Sequence, residues 1–170
     1  MTLKVMGAIL VFVGCGGYGM RLAWMHRREV AALHQLVQAL NAMICELGFR
    51  LTPLPELCRF GAQQVTGSVS QCLSDLADAL DTQVSPDVNT CTMVAIKGQP
   101  RLPKYAASQL QALGQTLGRF DLSGQLTGLE QCKHACLGEL EKLENEQPQR
   151  LRSYQTLGFC AGAALAILLF

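Results

Sequence analysis

Two uncharged apolar stretches, Val5 to Met20 and Ser153 to Phe170, bracket the chain, and every acidic residue lies between them. Of the basic side chains only Lys4 falls outside that interval. A helix rises about 1.5 Å per residue, so about 20 residues cross the roughly 30 Å hydrocarbon layer, and about 17 suffice with flanking anchors. Leu22 and Ala23 lengthen the first stretch, Arg21 can snorkel outward, and Trp24 suits the headgroup level. Tyr154 supplies an interfacial ring for the second. A core helix of a soluble domain would show a polar face, and Gly158 to Phe170 has none. The pattern predicts transmembrane helices over residues 1–24 and 153–170, with a cytoplasmic domain over residues 25–152 between them.

Orientation follows from the cations. Arg21, His26, Arg27 and Arg28 follow the first stretch, and Arg150 and Arg152 precede the second, so the positive-inside rule places the middle in the cytoplasm of a two-pass protein. Two other readings of the N-terminus compete with a retained span. One is a signal peptide, which lacks an evident small-x-small cleavage site; the other is a lipoprotein box at Phe12-Val13-Gly14-Cys15. Either would leave the arginines on the wrong side.

Formal charge is +1, from 14 basic and 13 acidic side chains, so the chain has no electrostatic footprint for nucleic acid. Eight cysteines occur at scattered spacings. Cys15 and Cys160 fall in the apolar stretches. Cys45, Cys58, Cys72, Cys91, Cys132 and Cys136 would meet a reducing compartment and read as small apolar core residues.

The middle reads as helices with almost no strand signal. Val30, Leu33, Val37, Leu40, Ile44 and Leu47 alternate at three- and four-residue spacing along one stripe, with Gly48 placed to cap the helix. Thr52 then offers an N-cap hydroxyl and Pro53 suits the first helical position, starting a helix through Leu57 and Phe60 towards Val65. Val69, Leu73, Leu76 and Leu80 mark a third helix. Between Asp81 and Pro103 the periodicity weakens, and Val88 to Ile96 reads as either a short helix or an exposed loop. Ala106, Leu110, Leu113, Leu117 and Phe120 form a further stripe. A turn at Gly118 to Asp121 leads into Leu122, Leu126, Leu129, Cys136, Leu140 and Leu143, giving an antiparallel helix pair with Asp121 as the second N-cap. Pro148 predicts a kink or break before the final apolar stretch. The fold class is therefore all-α, a helical bundle flanked by two membrane helices.

Chemical motifs are sparse. There is no glycine loop ending in Lys-Ser or Lys-Thr, so any nucleotide hydrolysis belongs to another chain. His26 and His34 have no nucleophile arranged for a triad. Cys132 and Cys136 share a helical face at i and i+4, but His134 is rotated away and no second ligand pair follows. No catalytic, cofactor-binding or metal-ligating residue is assigned, and no small-molecule substrate is implied. Glu46 stands near the negative end of its helix, where a carboxylate is disfavoured; it is either solvated, paired with Arg50 four residues on, or paired with a basic group on a partner. Gly158, Gly162 and Ala166 put small residues on one side of the second span, where another helix can approach.

The order of local motifs resembles the stage III sporulation protein AB family. Glu46-Leu47-Gly48-Phe49-Arg50-Leu51-Thr52-Pro53-Leu54-Pro55-Glu56 comes first, then Leu113-Gly114 and Leu117-Gly118 with Asp121 and Gln125, and last Tyr154-Gln155-Thr156-Leu157-Gly158 before the apolar tail. The resemblance covers nearly the whole chain. It implies a component of the transenvelope complex between mother cell and forespore, in the mother-cell membrane. Its domain would be similar to the inner-membrane platform protein of type II secretion and type IV pilus systems. The implied partners are a secretion-type ATPase, stage III sporulation protein AA, and other membrane subunits of the complex. Matched residues Glu46, Arg50, Thr52, Pro53, Glu56, Gly114, Gly118, Asp121 and Gln125 are candidates for partner contact, although helix starts, turns and close packing account for several of them equally well. Two alternative functions stay open: a structural membrane scaffold without ATPase contact, and a membrane-bound thiol or metal sensor using Cys132 and Cys136.

Overall fold

The computed structural model describes the backbone of residues 2–83, 85–118 and 121–169 and the side chains of residues 24–83, 85–118 and 121–145. Among the described residues six helices follow one another: α1 (Thr2–Arg50), α2 (Leu54–Gln63), α3 (Gly67–Asp81), α4 (Val88–Gly98), α5 (Lys104–Thr116) and α6 (Leu122–Leu169). Among the described residues there is no strand. The chain divides into two compact units, one of residues 1–28 with 142–170 and one of Glu29–Glu141.

The 29–141 unit is an up-and-down bundle in which each helix runs back along its predecessor. Met43 of α1 meets Gly61 of α2, and further along Gln38 donates to the Gln64 carbonyl and Gln35 to the Thr66 hydroxyl. As the position in α1 falls, the partner position rises, which defines an antiparallel pair. The same holds for Arg59 with Asp78 and Ser70 with the Ala62 carbonyl across α2 and α3, and for Cys91 with Ala79 and Gln99 with Asp75 across α3 and α4. Across α5 and α6, Tyr105 donates to the Ala135 carbonyl while Thr116 lies against Gly128, so the expected antiparallel pair is present.

Leu33, Leu36, Leu40, Met43, Leu57, Leu73, Leu110 and Leu129 are essentially fully buried at the centre of the bundle. Each contributes about 1.5–3 kcal/mol of gross transfer free energy. That burial, more than helix propensity, makes these segments helical. Along α1 the buried line is Leu33, Leu36, Leu40, Met43 and Leu47; Val30, Val37 and Ile44 of the expected stripe are half-buried on its flank. The face is rotated because Gly61 leaves room for Met43: a Cβ there would lie 2.9 Å from its Cγ and Sδ. Trp24–Arg50 is long and apolar enough to cross a membrane by length and composition, and such a helix near the N-terminus fits a membrane association. From Glu29 onward, however, its apolar face is occupied by the bundle core.

Several local expectations are corrected. Gly48 does not end α1, which continues to Arg50; Leu51 takes the left-handed conformation, φ 52°. Pro53 rather than Thr52 is the α2 N-cap, with φ −55° and ψ 148°, and Pro55 stands in the first turn. Proline cannot continue α1 and biases Thr52 towards extended backbone, so the chain must turn at Leu51. Of the two readings for Val88 to Ile96, the helix is the one adopted; it was faint because its inward face is made of the small residues Cys91, Thr92 and Ala95. Helix α5 stops at Thr116, and Leu117 reaches the core from an extended C-cap. Phe120 lies outside the described residues. Asp121 caps α6 as expected, its Oδ1 accepting from the Gly124 N–H at 3.1 Å. Helix α6 continues through Pro148 rather than breaking there. Cys45 is exposed, unlike the buried Cys58, Cys72, Cys91, Cys132 and Cys136. Side chains of the two expected spans, Val5–Met20 and Ser153–Phe170, and of the small-residue seam Gly158, Gly162 and Ala166, lie outside the described residues.

Candidate partner-docking site

Up-and-down connectivity puts the α1–α2 turn, the α3–α4 turn and the α5–α6 turn at one end of the bundle, distal to Glu29 and Glu141, where the unit's chain enters and leaves. The candidate residues from distant parts of the sequence meet there. A Cβ at Gly118 would lie 3.8 Å from Leu54 at the start of α2 and 2.9 Å from Val88 at the start of α4.

On the α1–α2 side, Arg50 stands 3.8 Å from Glu46, and the Thr52 hydroxyl donates to the same carboxylate at 3.1 Å. The Glu46 side chain is 17% exposed and Arg50 is 78% exposed. Of the readings open for Glu46, the structure realises the local pair, strengthened by a threonine that sequence spacing assigned to capping. Glu56 sits in the first turn of α2, where the positive helix end favours a carboxylate, and Pro53 is exposed beside it. Glu46, Thr52, Glu56, Arg59, Phe60 and Gln63 line an open hollow of about 270 Å³. Arg59 donates to Asp78 at 2.9 Å and also pairs with Asp81. These hydrogen bonds hold its guanidinium above the ordinary value.

Arg59, Phe60 and Gln63 carry no sign of a site in the sequence, because no motif joins them to Glu46; only the reversal at Leu51 does. Phe49 and Leu51 fall within the motif with no role of their own implied, yet they are 89% and 67% exposed. The available signal was spacing, since Phe49 lies off the apolar stripe that ends at Leu47.

On the α5–α6 side, Gly118 has φ 77° and needs its glycine for the turn. Asp121 is exposed; hydrogen bonds from the Ser123 hydroxyl and then the Gly124 N–H hold its carboxyl below the usual range. Gln125 is half-buried one turn into α6. Gly114 is buried below them, with Thr92 so close that a Cβ would lie 2.8 Å from the threonine Cβ. Close packing of α4 on α5 accounts for this glycine.

Burial pushes the Cys58 and Cys72 thiols up to about 12. The Cys132 thiol is raised by its contact with Cys136 and by burial, and it lies 3.6 Å from the Gln109 carbonyl. His134 is exposed on another face. No three His, Cys, Asp or Glu side chains are grouped to hold a metal among the described residues.

The family model described as stage III sporulation protein AB matches residues 4–170. The chain is 26% identical over 170 residues to stage III sporulation protein AB of Bacillus subtilis (strain 168), covering 98% of this chain and 99% of that protein. A solved structure of a stage III sporulation protein AB superposes with a TM-score of 0.63 at 24% identity, covering 72% of this chain and 98% of the other, which supports the same helical fold. These relatives are named as sporulation proteins and not as enzymes. With a match running through both ends of the bundle and both terminal helices, this chain belongs to the stage III sporulation protein AB family.

Proposed function

We propose that this chain is a non-catalytic adaptor of a secretion-like sporulation complex, holding a cytoplasmic secretion-type ATPase, the stage III sporulation protein AA type, at the mother-cell membrane. On this reading residues 1–24 and 153–170 cross the bilayer, residues 25–152 face the cytoplasm, and the bundle is similar to the platform-protein domain of secretion systems. Other membrane subunits of the complex pack against the spans, with Gly158, Gly162 and Ala166 as a contact seam.

The observation that carries the reading is the convergence of the family motif on one end of the bundle. Glu46, Arg50, Thr52, Pro53 and Glu56 come from one turn, and Gly118, Asp121 and Gln125 from another more than fifty residues later. Packing inside the bundle requires Gly114, but it does not require an open hollow or the exposed Phe49 and Leu51 at the same end. Interface energetics concentrate in such apolar anchors beside charged groups.

The test uses the full chain in detergent or lipid discs with the purified ATPase. Co-elution and a saturable binding curve are expected. A chain that is folded and membrane-inserted yet leaves the ATPase free in solution defeats the docking reading and leaves a scaffold in its place.

A further inference from the structure

The distal end combines three features that bundle stability does not explain. Phe49 and Leu51 are among the most exposed large apolar side chains described. Leu51 is held at φ 52°, a conformation that glycine or asparagine adopts with less strain, yet the residue present extends an isobutyl group into solvent. The hollow beside them is lined by the carboxylates of Glu46 and Glu56 against Arg59, and among the described residues Asp78, Asp81, Asp87 and Asp121 add negative charge at the same end of the bundle against Arg50. Arg59 is committed to Asp78 and Asp81, and Arg50 to Glu46, whereas Glu56 is exposed with no partner among the described residues.

We infer that this end clasps a segment of the ATPase presenting an apolar side chain beside a lysine or arginine, with Phe49 and Leu51 gripping the apolar group and Glu56 receiving the cation at the mouth of the hollow. The inference deepens the ATPase-docking reading and rests on it. Phe49 lies one turn beyond Glu46 on the same side of α1, and Leu51 is bonded to Thr52, so the apolar rim and the acidic hollow are contiguous. From Glu29 to Phe49 helix α1 advances about 30 Å, so this is the end of the bundle remote from where the unit's chain enters. A basic protein segment matches both the charge and the apolar rim.

Binding of the purified ATPase to the full chain in lipid discs is the test, with Phe49→Ser combined with Leu51→Asn, and separately Glu56→Lys. Asparagine keeps the left-handed turn, so the first variant removes the rim without breaking the reversal. Each variant is expected to weaken binding about tenfold or more. Raising salt from about 50 to about 500 mM is expected to weaken wild type much more than Glu56→Lys. Lys97→Glu with Lys104→Glu, at the opposite end of the bundle, is expected to leave affinity within about twofold. If wild type binds and the rim and Glu56 variants, still folded by thermal melting, bind equally well, the clasp is overturned while docking stands. If wild type itself does not bind, docking and clasp fall together. If the rim variants instead abolish a self-association seen by light scattering, with ATPase affinity unchanged, the occupant is a second copy and the inference is also overturned.

Discussion

Replacing Gly114 by alanine isolates what holds α4 against α5. A Cβ at Gly114 would lie 2.8 Å from Thr92 Cβ and 3.1 Å from Thr92 Cγ2, with the threonine Oγ1 nearer still. Carbon atoms pack comfortably at about 3.5–4.0 Å. Thr92 is 1% exposed and donates to the Val88 carbonyl at 2.8 Å, so rotating away costs that bond and meets packed neighbours. The helices must then separate, and overpacking of this kind costs about 1–3 kcal/mol. Alanine recovers up to about 1 kcal/mol of helix propensity over glycine. Taking the upper half of the overpacking range, because the obstruction is Cβ against Cβ, the net loss is about 1–2 kcal/mol, a fall of roughly 2–8 °C in Tm for a chain of this size. Circular dichroism melts in detergent read the shift. Thr92→Ala alone costs about 1 kcal/mol through its lost methyl group and hydroxyl bond. In the Gly114→Ala background the same change removes the obstruction and is expected to raise Tm, a coupling of about 2–3 kcal/mol. If Gly114→Ala melts at or above the wild-type temperature, or Thr92→Ala fails to rescue it, the close-approach account is wrong.

Leu51→Gly releases about 1–2 kcal/mol of left-handed strain and returns about 0.5–1 kcal/mol as unfolded-state entropy, so a rise in Tm of a degree or two is expected; a lower Tm refutes the strain. Maleimide at neutral pH is expected to label Cys45 rapidly, whereas Cys58 and Cys72, buried with thiols pushed up to about 12, react only on unfolding. Fast labelling of the bundle that survives Cys45→Ser contradicts this burial, and labelling of Cys45 in intact, unpermeabilised cells contradicts the cytoplasmic placement. The Asp121 carboxyl is depressed by Ser123 and Gly124, so its contribution is present above the unfolded value and lost as pH falls through the folded one. The stability advantage of wild type over Asp121→Ala is expected to hold constant from pH 6 to 8 and to shrink below about pH 4; an advantage that persists unchanged in acid removes the charged cap.

Helical spacing made most of the bundle legible before any coordinates. Leu33, Leu40 and Leu47, then Val69, Leu73 and Leu76, then Ala106, Leu110 and Leu113 recur at helix period because one face of each segment must leave water. The α6 cap was equally local, since Asp121 needs only the N–H groups of the next turn. Helix α4 was ambiguous because burial of Cys91, Thr92 and Ala95 hardly marks a hydropathy pattern, and what fixes it is Gly114 on another helix. Gly48 has the usual capping chemistry, yet α1 runs two residues past it, because the actual stop is imposed downstream by Pro53 through a strained Leu51.

The sequence by itself determined the all-helical class, the buried face of most helices and the family, since these depend on periodicity and on order along the chain. Only the tertiary structure decided that Glu46 is held by Arg50 and Thr52, that Arg59 closes a hollow with Glu56, and that turns separated by scores of residues share one end of the bundle. Antiparallel packing sets those neighbours, and packing is a relation between helices that no single segment encodes.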